Sequence, residues 1–408
     1  MGLRLIYSRI MFCVLALGLA APAYAADITF TAGEYSSHTR PLLEKIARDY
    51  EALHPDTHIH LRVLPWNNYL QALTTDVSGN HAPDMSIIAT IWLSDFATQG
   101  IVETLDDYIS PAFKAAFIPN FLTPSTIEGK LMGLPAAASA RAMMVNLDLL
   151  QKAGVSPPKT WDELEADAKQ VARLPGVYGF GLQGKEVETD TYYYYALWSF
   201  GGDILTPDGR SGLGSPDAIA AATYYKHLID EKATEPEPTG YSREDVFNLF
   251  KQGKVGIIFT FPMLIPQIKS EAPNLHYAVL PFPVGKQQAT LGVTDVLVVY
   301  KSSPVKKQAW DFIQFMFQDK YRSEFDREEG LLPVTRNVVA EDYYRTNPDI
   351  SAFAAGLPYA RFAPTIPHWA DMADVTTRAL QSIYLGQSAP SAAMSNAAAQ
   401  VDQLLSER

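Results

Sequence analysis

The chain has 408 residues, a formal net charge of −12 at pH 7 and a hydrophobic fraction of 47%. The negative charge argues against a nucleic-acid partner, because nucleic acids are bound by basic surfaces. Cys13 is the only cysteine. Because it falls among the first 25 residues, a mature chain that begins at residue 26 has no disulfide and no thiolate chemistry.

Residues 1–25 have the pattern of a secretory signal peptide. Two arginines form a basic start, residues 10–20 are apolar, and residues 23–25 (AYA) form a small-residue cleavage site. The apolar run is too short to span a bilayer, although a membrane anchor is the alternative interpretation. We therefore expect cleavage after residue 25 and export to the periplasm.

The first elements predict a strand–loop–helix–strand unit. Residues 27–32 alternate as a half-buried strand, a helix with one apolar face follows, and residues 59–63 alternate as a second strand. Such a unit favours a parallel sheet, and ligands of these sheets bind beyond the carboxyl ends of the strands. The candidate ligand residues here are Glu34 and Tyr35 after the first strand and Trp66 after the second.

A third, buried strand is predicted at residues 85–89. Its carboxyl end carries Trp92 and Asp95, which we expect in a loop. By the same rule for parallel sheets, these two side chains are further candidates for ligand contact.

Residues 129–164 contain the clearest local signals. A strand enters a turn at residues 133–135, small residues follow at 136–140, and a second strand is predicted at 142–145. A helix is predicted at residues 147–153. By itself this pattern fits either a compact supersecondary unit or a crossing between two lobes with a ligand in the crease.

Two end signals support these helix boundaries. Gly154 suits the left-handed position that ends a helix, since glycine adopts it without steric cost. Thr160 and Glu163 have the spacing of a capping box at the start of the next helix. Further on, residues 190–200 predict a helix with aromatic side chains all round, among them Trp198, so some of these must face a cleft or an interface.

Catalytic motifs are missing: there is no G-x-S-x-G elbow, no phosphate-binding loop and no H-E-x-x-H helix. His58 and His60 could share one face of a strand and bind a metal, but the solvent face of that strand explains them more simply. We expect no metal, no cofactor and no enzymatic activity. Four acids lie in or beside predicted loops or strands: Glu34, Asp95, Asp203 and Asp295. They could form a glycosidase pair or hydrogen-bond the hydroxyls of a ligand.

Four groups of motifs span nearly all of the mature chain. They are residues 78–84 (SGNHAPD), residues 129–164 with the run PPKTWDEL, residues 250–256 (FKQGKVG) followed by LPFP, and residues 309–313 (AWDFI) followed by Gly330 and Pro333. Together they resemble the family 1 extracellular solute-binding proteins of ABC importers, the sugar-binding cluster that is similar to the maltose-binding protein.

The resemblance implies an α/β chain with a two-lobed periplasmic-binding-protein fold of type II. Each lobe would be a mixed sheet flanked by helices, with the ligand in the interlobe cleft and hinge closure around it. The N-terminal lobe would comprise residues 26–138 and 292–330. The C-terminal lobe would comprise residues 139–291 and 331–408.

The resemblance also implies ligand positions, which extend those given by the strand ends. They are Glu34, Tyr35, Trp92, Asp95, Ser139, Arg141, Trp198, Gly202, Asp203, Phe261, Thr294, Asp295 and Trp369. This chain departs from the maltose-binding pattern at Phe261, where a tryptophan is common, and at Ser139, near which an acid stands. Both departures argue against a maltose-like oligosaccharide as the ligand, and neither argues against a carbohydrate.

These features predict the substrate-binding component of an ABC importer. It would capture a mono- or oligosaccharide or a sugar derivative as a monomer and deliver it to the membrane permease subunits. The alternatives are an exported enzyme acting on glycosides, and a binder of a non-sugar solute such as a phosphoester or a polyamine.

Overall fold

The structure is a computed structural model that describes residues 26–185 and 188–406. The predicted signal peptide, residues 1–25, lies outside the described residues. Twelve strands form in the described part of the chain: β1 (Ala26–Glu34), β2 (Thr57–Pro65), β3 (Met85–Ala89), β4 (Thr126–Ile127), β5 (Lys130–Leu131), β6 (Leu134–Ala140), β7 (Ala142–Asn146), β8 (Tyr178–Phe180), β9 (Val255–Thr260), β10 (Tyr277–Leu280), β11 (Thr290–Val299) and β12 (Ala360–Arg361).

Helices connect these strands and cover both sides of the sheets. Over the same described residues they are α1 (Thr39–Leu53), α2 (Trp66–Ser78), α3 (Thr90–Thr98), α4 (Pro111–Ala116), α5 (Pro119–Leu122), α6 (Leu147–Ala153), α7 (Trp161–Val171), α8 (Thr189–Ser199), α9 (Pro216–Asp230), α10 (Arg243–Lys251), α11 (Leu264–Glu271), α12 (Lys306–Met316), α13 (Asp319–Glu328), α14 (Arg336–Val339), α15 (Asp342–Thr346), α16 (Ser351–Gly356), α17 (Trp369–Tyr384) and α18 (Pro390–Ser406). Within the described part of the chain, none of them has the length and apolar character needed to cross a membrane.

The first sheet has the strand order β12-β11-β3-β1-β2, and β6 also pairs with β11. The pairs of β1 with β2 and with β3 are parallel, whereas β11 runs antiparallel to β3 and to β6. This is the predicted strand–helix–strand unit with an antiparallel strand added beside it. The carboxyl ends of β1, β2 and β3 therefore lie at one edge, where the α/β rule places ligands.

The second sheet has the strand order β10-β7-β9-β8. β7 runs antiparallel to β9 and β10, while β8 and β9 are parallel. Met143, Val145, Phe180 and Phe259 from this sheet form a core with the buried side chains of α8 and α17. Both sheets are thus mixed and flanked by helices, as predicted.

The chain passes from the first sheet to the second at Arg141. The residue before it, Ala140, ends β6 in the first sheet, and the residue after it, Ala142, begins β7 in the second. The chain returns between β10 and β11. The strand pairing thus puts the passage from the first sheet to the second at residue 141, whereas the predicted boundary between the lobes lies after residue 138. The residue bounds of the two lobes stay a prediction.

The local end signals are confirmed. Gly154 ends α6 with a φ of 71°, in the left-handed region. The Thr160 hydroxyl accepts from the Glu163 N–H, and the Glu163 carboxylate accepts from the Thr160 N–H. Such caps depend on neighbouring residues only, so sequence spacing identifies them.

Three predicted elements differ from the structure. Residues 134–140 form strand β6 and not a turn with a loose small-residue run, because their backbone pairs with β11. The predicted loop after β3 is helix α3, which carries Trp92 and Asp95. Some aromatic side chains of α8 were expected to leave the core for a cleft or an interface, but all of them are buried because β9, α9 and α17 surround that helix, although Tyr194 also lines a cavity described below.

Candidate functional site

A cavity of about 210 Å³ lies between elements of the two sheets, and we call it the cleft cavity. The first sheet contributes the start of α3 and part of β11, and the second contributes the start of α8 and the segment leading into α17. The lining residues are Thr90, Ile91, Pro124, Glu188, Asp190, Thr191, Tyr194, Leu291, Gly292, Val293, Thr294, Phe362, Ala363, Thr365, Trp369 and Ala373. Of the predicted ligand residues, Thr294 and Trp369 line it.

Thr90 and Thr294 hold one wall of the cleft cavity in place. Thr90 Oγ1 donates to the Thr294 carbonyl oxygen at 2.5 Å and lies 2.8 Å from Thr294 Oγ1. Thr90 follows the carboxyl end of β3, and Thr294 lies on the neighbouring antiparallel strand β11. These bonds join the two strands at the edge where the sequence places ligand contacts.

The first turn of α8 forms the opposite wall. Glu188 precedes the helix with a φ of 86°, and Asp190 is only 4% exposed. The pKa of Asp190 is raised to about 7, mainly by burial and also by the charge of Glu188, although nearby backbone N–H groups and the Tyr194 hydroxyl oppose the shift. This wall therefore presents carboxyl oxygens, which can accept hydrogen bonds from ligand hydroxyls.

Two aromatic rings stand beside these carboxyl groups. The Trp369 and Tyr194 ring centroids are 6.0 Å apart with an interplanar angle of 42°. Trp369 is 9% exposed and begins α17. An aromatic plane next to hydrogen-bond acceptors suits a molecule with apolar C–H faces and polar edges, as a sugar ring has.

A second group of predicted residues clusters on the first sheet. The Tyr35 hydroxyl donates to Asp295 Oδ2 at 2.7 Å. The Tyr35 ring lies 5.5 Å from Trp66, and Trp66 lies 5.8 Å from Trp92. Burial raises the pKa of Asp295 to about 7, and the Tyr35 hydrogen bond opposes that shift. These four predicted ligand residues form one connected group, but they do not line the cleft cavity.

The crossing carries a third group. Arg141 Nη1 donates to Ser139 Oγ at 2.9 Å, and its guanidinium lies 4.5 Å from the centre of the Phe261 ring. Arg243 lies over the same ring at 5.1 Å. The structure thus brings the predicted residues Ser139, Arg141 and Phe261 together beside the crossing and outside the cleft cavity.

The predicted residues at the end of α8 pack into the core or face a second cavity. Trp198 is 1% exposed, and its Nε1 donates to Asp203 Oδ1 at 3.3 Å. Asp203 also pairs with Arg361 and lines an open cavity of about 400 Å³. Gly202 is buried, and a Cβ there would lie 2.5 Å from Leu197 Cδ1, so packing explains this glycine.

Glu34 and Asp95 are exposed and line neither cavity. The prediction missed the start of α8, namely Glu188, Asp190 and Thr191, together with Tyr194. The available signal was an acidic residue just before the run of four tyrosines in α8. Among the described residues, no group of three or more potential metal-binding side chains comes together.

The fold and the cleft between its sheets define the class of protein. The chain belongs to the family described as bacterial extracellular solute-binding protein, whose sequence profile matches residues 35–323. The structure is similar to the cyclic alpha-maltosyl-1,6-maltose binding protein from Arthrobacter globiformis, with a TM-score of 0.85 at 20% identity over 94% of this chain and 100% of that one. It is also similar to the sugar-binding protein of Xanthomonas citri, with a TM-score of 0.83 at 20% identity over 94% and 98%. The predicted family and two-lobed fold are confirmed.

Relatives in sequence are of two kinds. A protein of Brucella abortus (strain 2308) with the name "Putative binding protein BAB2_0491" is 51% identical over 393 residues, which cover 95% of this chain and 96% of that protein. The maltotriose-binding protein of Pyrococcus abyssi is 24% identical over 335 residues, which cover 80% of this chain and 70% of that protein. The family is described as extracellular and solute-binding, and the two structural neighbours are binding proteins.

Proposed function

We propose that this protein is the periplasmic binding component of an ABC importer and that it captures a sugar or sugar derivative in the cleft cavity. The observation that carries the proposal is the joint lining of that cavity. Carboxyl and hydroxyl groups stand beside the rings of Tyr194 and Trp369, and both sheets contribute. Several of its neighbours in structure bind sugars according to their names.

The architecture also supplies a mechanism for capture and release. Each sheet contributes one wall, so a ligand that contacts both walls favours the state in which they are close together. Closure about the segments near Arg141 would then present a changed surface to the permease subunits of the importer. We propose that the protein acts in this way as a monomer after removal of residues 1–25.

A thermal-shift screen tests the class of ligand. Sugars, polyols, sugar phosphates and polyamines are added separately, and a compound that binds only the native state raises the melting temperature. At a concentration 100 times the Kd the stabilisation is about 2.7 kcal/mol. We expect sugars to raise the melting temperature. A screen in which polyamines alone have an effect would contradict the carbohydrate assignment.

A matched pair of tryptophan variants tests whether the sugar binds in the cleft cavity. Trp369→Leu removes a ring that lines the cleft cavity, and Trp310→Leu removes a buried ring that packs on Tyr108 and Phe113 in the first lobe. We expect Trp369→Leu to weaken the sugar found in the screen about two- to tenfold, since an aromatic contact is worth about 0.5–1.5 kcal/mol. Trp310→Leu should leave affinity unchanged. Equal effects would contradict this location.

The predicted contact at the crossing has its own test. Arg141→Ala should weaken sugar binding more than Trp161→Phe does, because Arg141 is the residue at which the chain crosses between the sheets, whereas Trp161 is the buried first residue of α7 and donates through Nε1 to Ser199 Oγ. Incubation with a panel of glycosides distinguishes binding from catalysis. Release of product from any glycoside would contradict a function limited to binding.

A further inference from the structure

The described residues that line the cleft cavity include acids but no basic side chain. Its two carboxyl groups belong to Glu188 and Asp190, and no lysine, arginine or histidine is among the described residues that line it. The other lining side chains are mostly threonines, aromatic rings and aliphatic groups. An anionic ligand would therefore lose its hydration here without gaining a counter-ion, and such burial is unfavourable.

Asp190 makes the burial of an anionic ligand in the cleft cavity still less favourable. Its side chain is 4% exposed, and it stands in the first turn of α8, two residues from Glu188. The charged neighbour with the largest effect on it is Glu188, another acid. Above the pKa of Asp190, a carboxylate or phosphate placed against this wall would thus meet the like charge of the Asp190 carboxylate, and such repulsion is a common means of excluding wrong partners.

Arg243, which contacts a lining residue, and Arg141, at the crossing, are both engaged elsewhere. Arg243 Nη1 lies 2.7 Å from Glu188 Oε2, and Arg243 Nε lies 3.2 Å from Glu244 Oε1. Arg141 donates to Ser139 and lies over the Phe261 ring. Neither arginine lines the cleft cavity. The positive charge of Arg243 is offset by Glu188, with which it pairs.

We propose that the solute held in the cleft cavity is uncharged or carries an amino group, and that carboxylate and phosphate derivatives of the same ring are rejected. This inference rests on the proposed function, because it specifies the charge of the sugar bound at the same site. Hydroxyl and amino groups both donate hydrogen bonds, so both suit the carboxyl oxygens of the α8 wall.

Matched ligands that differ only in charge test the proposal. The full-length mature protein is titrated calorimetrically at pH 8 with glucose and galactose, with their uronic acids, their 6-phosphates and their 2-amino derivatives. Maltose, maltotriose and the oxidised form of maltose extend the series to longer sugars. We expect every bound parent sugar to bind at least tenfold more tightly than its uronate or phosphate counterpart.

Two charge variants then test whether the acids at the start of α8 cause the rejection of anionic ligands. Glu188→Gln removes one acid of the cavity and leaves the charge of Arg243 less neutralised, so the ratio of uronate to parent Kd should fall at least threefold. Glu244→Gln changes the net charge equally but lies outside the cavity, so that ratio should change less than twofold. Asp190→Asn provides a second variant inside the cavity, and its ratio should also fall.

The outcomes distinguish a failure of the proposed charge preference from a failure of the proposed sugar binding. A uronate or phosphate that binds as tightly as its parent sugar, or more tightly, overturns the inference and leaves sugar capture standing. Equal ratios in Glu188→Gln and Glu244→Gln overturn the role of the wall. If no member of the series binds in any charge class, the proposed function fails and the inference fails with it.

Discussion

Removing the Tyr35 hydroxyl should destabilise the protein more at pH 8 than at pH 5. This hydroxyl donates to Asp295 Oδ2 at 2.7 Å, and burial raises the pKa of Asp295 to about 7. At pH 5 the carboxyl group is mostly protonated in the folded state. At pH 8 it is a half-buried carboxylate, and the Tyr35 hydroxyl is the donor that stabilises its charge.

The expected loss of stability follows from the energies of a neutral hydrogen bond and of a hydrogen bond to a charged group. A neutral hydrogen bond contributes about 0.5–1.5 kcal/mol, and one to a charged group about 1.5–3 kcal/mol. Tyr35→Phe keeps the ring and its contacts with Trp66 and Phe325. The substitution should therefore cost about 1 kcal/mol at pH 5 and about 2 kcal/mol at pH 8. Because the hydroxyl lowers the pKa of Asp295, its loss moves that pKa upward.

The assay is urea unfolding at both pH values for four proteins: the wild type, Tyr35→Phe, Asp295→Asn and the double variant. In the Asp295→Asn background the cost of Tyr35→Phe should no longer depend on pH, because no titrating partner remains. The reasoning is refuted if the cost of Tyr35→Phe is the same at both pH values, or if its pH dependence persists when Asp295 is absent.

Two further predictions concern stability. Burial raises the pKa of Glu235 to about 8, so the folded state keeps a proton that the unfolded state releases above about pH 4.5, and stability is lost as the pH rises to 8. Glu235→Gln should reduce this loss by several kcal/mol, and an unchanged difference between urea midpoints at pH 5 and pH 8.5 would contradict it. Thr160→Ala removes the capping-box hydroxyl of α7 and should cost about 0.5–2 kcal/mol in urea unfolding, whereas no measurable change would show that the cap is dispensable.

For the aromatic helix α8, the sequence predicted the helix but not which of its faces are buried. The helix was predicted at residues 190–200. Its aromatic side chains are buried on every side because α9 and α17, which come later in the chain, pack against it. The first turn of α8, at Asp190 and Thr191, lines the cleft cavity together with one of its aromatic rings, Tyr194.

Local signals determined the parts of the molecule that depend on neighbouring residues. The helix at Leu147–Ala153, its glycine end and the capping box at Thr160 follow from spacing alone. The motif order was enough to identify the family. These features need no distant partner, so each can be recognised from a short stretch of sequence.

Only the tertiary structure decided which side chains meet across the cleft. Thr294 and Trp369 are 75 positions apart and line one cavity, while Tyr35 and Asp295 are joined by a hydrogen bond across 260 positions. The pairing of β6 with β11 likewise turned a run of small residues into a strand. Such contacts depend on how two sheets and their helices pack, and the energies that select that packing come from the whole chain at once.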